Sequence, residues 1–151
     1  MSILFINASP NHNGNTAHLA EELLGNHPYT QLDLIDYKIY GYGQTYDDNQ
    51  IGEVLAAIHN ADTIVIGSPM YWHNITGLLR NLLDSCYGRI ESGSLAGRTL
   101  YFLFQGAAPE KWMLHAGDYT MKRFAGLYGM TYGGMATNTS EARELGRSIN
   151  R

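Results

Sequence analysis

Apolar runs bounded by small or polar residues recur along the chain, and their spacing switches repeatedly from continuous to helical. Ile3 to Ile6 is an unbroken apolar run, the pattern of a short buried strand, and Ala17, Ala20, Leu23 and Leu24 then share one helical face that ends near Gly25. Tyr29 to Leu34 alternates, with Leu32 and Leu34 on one face, and predicts an edge strand. A second helix follows from Ile51, Val54, Leu55 and Ile58, with Asp48 or Asn49 as its cap. Thr63 to Gly67 is apolar without alternation, as in a parallel sheet covered on both faces. Leu78, Leu79, Leu82, Leu83 and Cys86 mark a third helix, and Arg98 to Phe104 a fourth strand. Met121, Phe124, Ala125 and Tyr128 give a fourth helix that stops around Gly129. Thr131 to Ala136 is a fifth strand, weakened by Gly133 and Gly134. Ala142, Leu145 and Ile149 close the chain as a helix, with Ser140 as cap and Arg143 and Arg147 near its negative end.

Strand and helix thus alternate five times, which implies an α/β protein, because parallel strands need crossover connections and these are right-handed. The expected fold is a flavodoxin-like doubly wound five-stranded parallel sheet, order 2-1-3-4-5, with helices on both faces. A length of 151 residues predicts one domain over residues 1–151. Residues 35–49 have no periodicity; Tyr37, Tyr40, Tyr42 and Tyr46 there either wall a ring-shaped ligand or pack the loop onto the domain.

Charge removes several function classes. A net charge of −4 without any Lys/Arg cluster argues against nucleic acid as a partner. Cys86 is the sole cysteine, so an internal disulfide and a multi-cysteine metal or iron–sulfur site are excluded and no metal is expected. Its expected role is a small apolar side chain on a helix. No segment approaches the roughly 20 apolar residues of a membrane span, and the N-terminal run is too short for a signal sequence. A cytoplasmic protein is the expectation.

In this sheet the strand-to-helix loops gather at the carboxyl edge, and ligands bind where the strand order reverses. The loops concerned are 9–16, 68–74 and 105–112. Ser9, Asn13, Asn15 and Thr16 surround the start of the first helix, where free N–H groups and the helix dipole favour an anion; the alternative use of Asn15 or Thr16 is as a cap. The lysine of a nucleoside-triphosphate loop and the Gly-x-Gly-x-x-Gly of a dinucleotide site are both missing. One phosphate site beside Tyr71, Trp72 and a Gly/Ala-rich loop ending at Trp112 suits a ligand with one phosphate and one large flat ring, which is FMN.

Ser9-Pro10 with Gly14-Asn15-Thr16, then Gly67 to Trp72, then Gly77 to Asp84, resemble the NAD(P)H-dependent FMN reductases of the flavodoxin-like fold, in order and over about residues 2–136. The resemblance implies phosphate contacts from Ser9, Asn11, Asn15 and Thr16, and ring contacts from Pro69, Met70, Tyr71, Trp72, Gln105 and Gly106. It also implies NADH or NADPH as co-substrate, a small-molecule acceptor (quinone, flavin, nitro- or azo-compound), and a homodimer or homotetramer. Asn11 stands where many relatives carry Arg, which weakens neutralisation of the phosphate. Residues 35–49 lack the cysteines of the iron–sulfur branch, which excludes that branch.

Two rivals share the topology. A flavodoxin-like electron carrier would be more acidic and would have a different phosphate loop. A signalling receiver domain would need acidic residues after the first strand and an Asp after the third, where this chain has Asn7-Ala8-Ser9 and Gly67-Ser68-Pro69. No side chain is assigned as catalytic, since a flavin carries such chemistry itself. His12 and His73 lie in the loops and either hold a substrate or a phosphate or are plain surface groups, the commoner use of a lone loop histidine; neither is assigned as catalytic.

Overall fold

The computed structural model describes residues 1–150. Its five parallel strands are β1 (Ile3–Asn7), β2 (Thr30–Asp33), β3 (Thr63–Pro69), β4 (Thr99–Gln105) and β5 (Thr131–Ala136), in the order β2-β1-β3-β4-β5. Between and after them run α1 (Asn15–Leu24), α2 (Ile51–His59), α3 (Gly77–Ser85), α4 (Lys111–Tyr128) and α5 (Thr139–Gly146), with 3-10 turns at Leu34–Asp36 and Arg147–Asn150. The expected topology is the observed one.

Alternate residues of the strands feed two cores. Leu4, Ile6, Ile64, Ile66, Leu100 and Phe102 face α2, α3 and α4, while Ile3, Phe5, Val65, Tyr101 and Leu103 face α1 and α5. Both faces being covered, β1 and β3 are buried at every position and cannot alternate. Each fully buried Leu or Ile contributes about 1.5–3 kcal/mol relative to exposure.

Several element ends differ from the sequence reading. β2 stops at Asp33, and Leu34 begins a 3-10 turn although it is still buried in the core. β3 runs on to Pro69, because Ser68 and Pro69 keep register with Phe104 and Gln105. α4 begins at Lys111, which places Trp112 in its first turn and not in the preceding loop. At the end of the chain, α5 is capped by Asn138, whose side chain accepts from the Glu141 N–H, so Ser140 is not the cap. At α2 neither Asp48 nor Asn49 is the cap: Gln50 is the N-cap and makes no side-chain cap bond, although Asn49 accepts from the Ile51 N–H just outside it. In β5 the register shifts at Gly133, which lies where any Cβ would meet the Tyr101 ring.

Residues 37–50 fold against their own neighbours. Tyr37 packs on the α2–α4 core, the Tyr40 and Tyr46 rings are 4.4 Å apart, and Tyr42 meets Tyr87 edge-on. Asn81 and Ser85 of α3 donate to the Ile39 and Tyr40 carbonyls and fix the loop there.

Candidate functional site

The loop between β1 and α1 is shaped from below by a buried amide. Asn7 ends β1; its Oδ1 accepts from the Ser9 N–H at 3.1 Å, and its Nδ2 donates to the Asn11 carbonyl at 3.0 Å and to Asp33 Oδ1 at 2.8 Å. Ser9 is itself buried, and its Oγ accepts from the Asn11 N–H, which leaves the hydroxyl proton for another acceptor. The loop is therefore preorganised by hydrogen bonds, not by its own small residues. Asn7 and Asp33 were not singled out from the sequence; a polar residue ending an apolar strand was the available signal.

α1 opens in an unusual state for a helix start. Its N-cap is Gly14, no side chain caps it, and no acidic residue occupies its first turn. Asn15 and Thr16 are the first two helical residues, so the capping alternative fails. Thr16 Oγ1 is buried with no hydrogen-bond partner in the protein. An orphaned hydroxyl costs about 1–3 kcal/mol, and here it stands among the unpaired N–H groups of the first turn. Gly67 on β3 makes room for the Thr16 methyl, because a Cβ there would lie 2.6 Å from Thr16 Cγ2.

The loops after β3 and β4 are tied to each other. Met70 N–H donates to the Gln105 carbonyl at 2.7 Å, and Gly106 lies so close that a Cβ on it would meet Met70 Cβ at 3.0 Å. Tyr71 to Asn74 then forms a two-residue hairpin closed by Tyr71 N–H to Asn74 O at 2.9 Å and the reverse bond at 3.2 Å. Its central residues, Trp72 and His73, have φ of 49° and 67°. Left-handed backbone at bulky residues costs roughly 1–3 kcal/mol each.

Ser9, Asn11, Asn15, Thr16, Pro69, Met70, Tyr71, Gln105, Gly106 and Ala107 together line a cavity of about 290 Å³ at the carboxyl edge. Nine residues expected at the site meet here, and Ala107 joins them. Trp72 does not line the cavity, because the hairpin turns its ring out to 94% exposure. Tyr37, Tyr40, Tyr42 and Tyr46 do not line it either. His73 packs against Trp112, and His12 Nε2 lies 2.9 and 3.0 Å from the two Asp36 oxygens. The Asp36 hydrogen bond and charge raise the His12 pKa above its ordinary 6.5. Cys86 lies elsewhere, on the α3 end; burial pushes its thiol up to about 12 and leaves it unreactive.

The profile of the NADPH-dependent FMN reductase family matches residues 1–142. The chain belongs to this family. Among curated proteins, the iron–sulfur flavoprotein of Archaeoglobus fulgidus is 39% identical over 98 residues, covering 56% of this chain and 48% of that one. The chain thus spans about half the length of the curated relative it matches. Among the solved structures that share the fold are the following two. An NADH:FMN oxidoreductase in its apo form is 25% identical with a TM-score of 0.67, covering 99% of this chain and 86% of its own. The Trp repressor binding protein from Bacillus subtilis is 16% identical with a TM-score of 0.77, covering 95% and 98%.

The cavity fits the family's cofactor on its own chemistry. None of its ten lining residues is acidic, and its one orphaned hydroxyl sits at a helix N-terminus, where a phosphate would supply the missing acceptor. Within this sequence Cys86 is the sole cysteine and is buried, so the iron–sulfur centre in the name of the Archaeoglobus protein has no thiolate set here.

Proposed function

We propose that this FMN reductase family member is an FMN-dependent NAD(P)H oxidoreductase that passes electrons to a small acceptor. The cavity that gathers nine expected site residues around the orphaned Thr16 hydroxyl carries the reading. Ser9, Asn11, Asn15 and Thr16 hold the phosphate with neutral donors and the α1 dipole. Pro69, Met70 and Tyr71 form one wall for the ring, and Gln105 with Gly106 presents polar groups to its edge. FMN held there would supply hydride chemistry between nicotinamide and acceptor; for a quinone the net reaction would be NAD(P)H + H⁺ + quinone → NAD(P)⁺ + hydroquinone. The chain's own work is to bind, orient and keep one ring face open.

The working unit we infer is a homodimer or homotetramer. Between α3 and α4 lies a groove lined by Tyr87, Tyr119, Phe124 and Leu127, with Arg80, Arg123 and Asp84 among them. Aromatic area with charges of both signs is self-complementary across a two-fold axis. One buried thiol and no disulfide suit a reducing compartment, so the proposed location is the cytoplasm. Among the described residues, no helix is long and apolar enough to cross a membrane.

Heat extraction of the purified protein and chromatography of the released ligand test the cofactor assignment. FMN in stoichiometric amount is expected; FAD in its place would overturn it, since the loop has one helix end for one phosphate.

A further inference from the structure

Two amides that share one acceptor hold the phosphate loop from below. Asn7 and Asp33 are register partners at the ends of β1 and β2, and Gln31 lies two residues before Asp33, on the same face of the sheet. Asn7 Nδ2 and Gln31 Nε2 each donate to Asp33 Oδ1 at 2.8 Å. The same two nitrogens reach on into the loop, Asn7 to the Asn11 carbonyl at 3.0 Å and Gln31 to the His12 carbonyl at 2.8 Å. Two consecutive carbonyl oxygens, which would repel an anion, are thereby taken up. In trans peptides the N–H groups that follow them, those of His12 and Asn13, point the opposite way.

Asp33 is the unexpected member of this set, since a negative charge beneath a phosphate loop opposes the binding of an anion. What it supplies is direction. A carboxylate only accepts, so the amide nitrogens and not the amide oxygens must face it. Turned over, the Asn7 amide would present its oxygen to both Asp33 and the Asn11 carbonyl, and the Ser9 N–H would lose its acceptor. We propose that Asp33 is the positioning residue of the phosphate loop: it fixes which way the Asn7 and Gln31 amides face and so holds the Asn11 and His12 carbonyls away from the anion, which makes the site select a phosphorylated flavin over an unphosphorylated one. The proposal rests on the FMN reading above and deepens it. Asp33 does not line the cavity; Ser9 and Asn11, which do, are reached from it through Asn7.

Dissociation constants of the full chain for FMN and for riboflavin, read from flavin fluorescence, test the assignment, because riboflavin keeps the ring and lacks the phosphate. Asp33→Ala should lower the preference for FMN over riboflavin about 10-fold, the loss of one hydrogen bond to a charged group, and leave riboflavin affinity unchanged. Asp33→Asn keeps an acceptor oxygen for both amides and should restore most of the preference. Gln31→Ala, on the edge strand β2, frees only the His12 carbonyl and should lower the preference by less; it decides the matter if Asp33→Ala does not fold. A purely structural role would lower the affinity for both flavins together. An unchanged preference in Asp33→Ala, or in Gln31→Ala where Asp33→Ala does not fold, would overturn the assignment, and so would a parallel loss of both flavins. A parent protein that binds riboflavin as tightly as FMN would remove the phosphate site itself, and with it both the FMN reading and the role of Asp33.

Discussion

The Thr76 hydroxyl donates a 2.8 Å hydrogen bond to the Ala8 carbonyl, joining the start of α3 to the first residue after β1. The same oxygen accepts from the Leu79 N–H, and the Thr76 N–H donates to Ser68 Oγ at 3.1 Å. All of these groups are buried, so one side chain holds the phosphate loop and the ring loop in register across the switch point of the sheet.

Thr76→Val keeps the shape and removes the hydroxyl. It leaves the Ala8 carbonyl and the Leu79 N–H unpaired, and should cost roughly 1–3 kcal/mol in urea unfolding together with weaker FMN binding. Thr76→Ser should retain both. A valine variant as stable as the parent would show that the bond does not tie the loops.

Thr16→Val separates stability from binding. Replacing a buried, unpartnered hydroxyl by a methyl should stabilise the ligand-free protein, by up to about 1–3 kcal/mol. The same change removes a donor to a charged phosphate, worth roughly 1.5–3 kcal/mol or about 10- to 150-fold in Kd. Thermal unfolding without FMN and titration with FMN should therefore move in opposite directions. A variant that loses stability and keeps its FMN affinity would show that Thr16 serves the helix and not the ligand.

His12 links the phosphate loop to the 3-10 turn after β2 through Asp36. The hydrogen bond to Asp36, and then its charge, raise the His12 pKa above 6.5. A raised folded value means that the pair's contribution is fully present below pH 6.5 and is lost as pH rises through the folded value. An NMR titration of the His12 ring should give a midpoint above 6.5 that falls back in Asp36→Asn. An unmoved midpoint in that variant would remove Asp36 as the cause.

The topology was legible because β1 and β3 are unbroken apolar runs and the helical faces repeat cleanly. Most of the cavity was legible too, since Ser9 to Thr16 and Pro69 to Tyr71 follow directly on strands that the pattern locates. What sequence could not supply were dihedrals and long-range polar partners. Trp72 follows Tyr71 in sequence, yet positive φ at a residue that rarely adopts it turns the ring away from the cavity. Asn7 and Thr76 look like ordinary polar residues until Asn11, Asp33 and Ala8 are brought beside them. Ser140 was the plausible cap of the last helix by composition, but Asn138 has the extended backbone that lets its side chain reach the Glu141 N–H.

Anaerobic stopped-flow mixing of the FMN-loaded protein with NADH and with NADPH tests the central claim most directly. Hydride transfer needs the nicotinamide and flavin rings stacked at about 3–3.5 Å, so one ring face must be open to a flat ligand. The expected result is bleaching of the flavin by at least one nicotinamide within seconds and without a partner protein, followed by reoxidation on adding a quinone. Bleaching by dithionite but by neither nicotinamide would contradict the account and leave the chain an electron carrier.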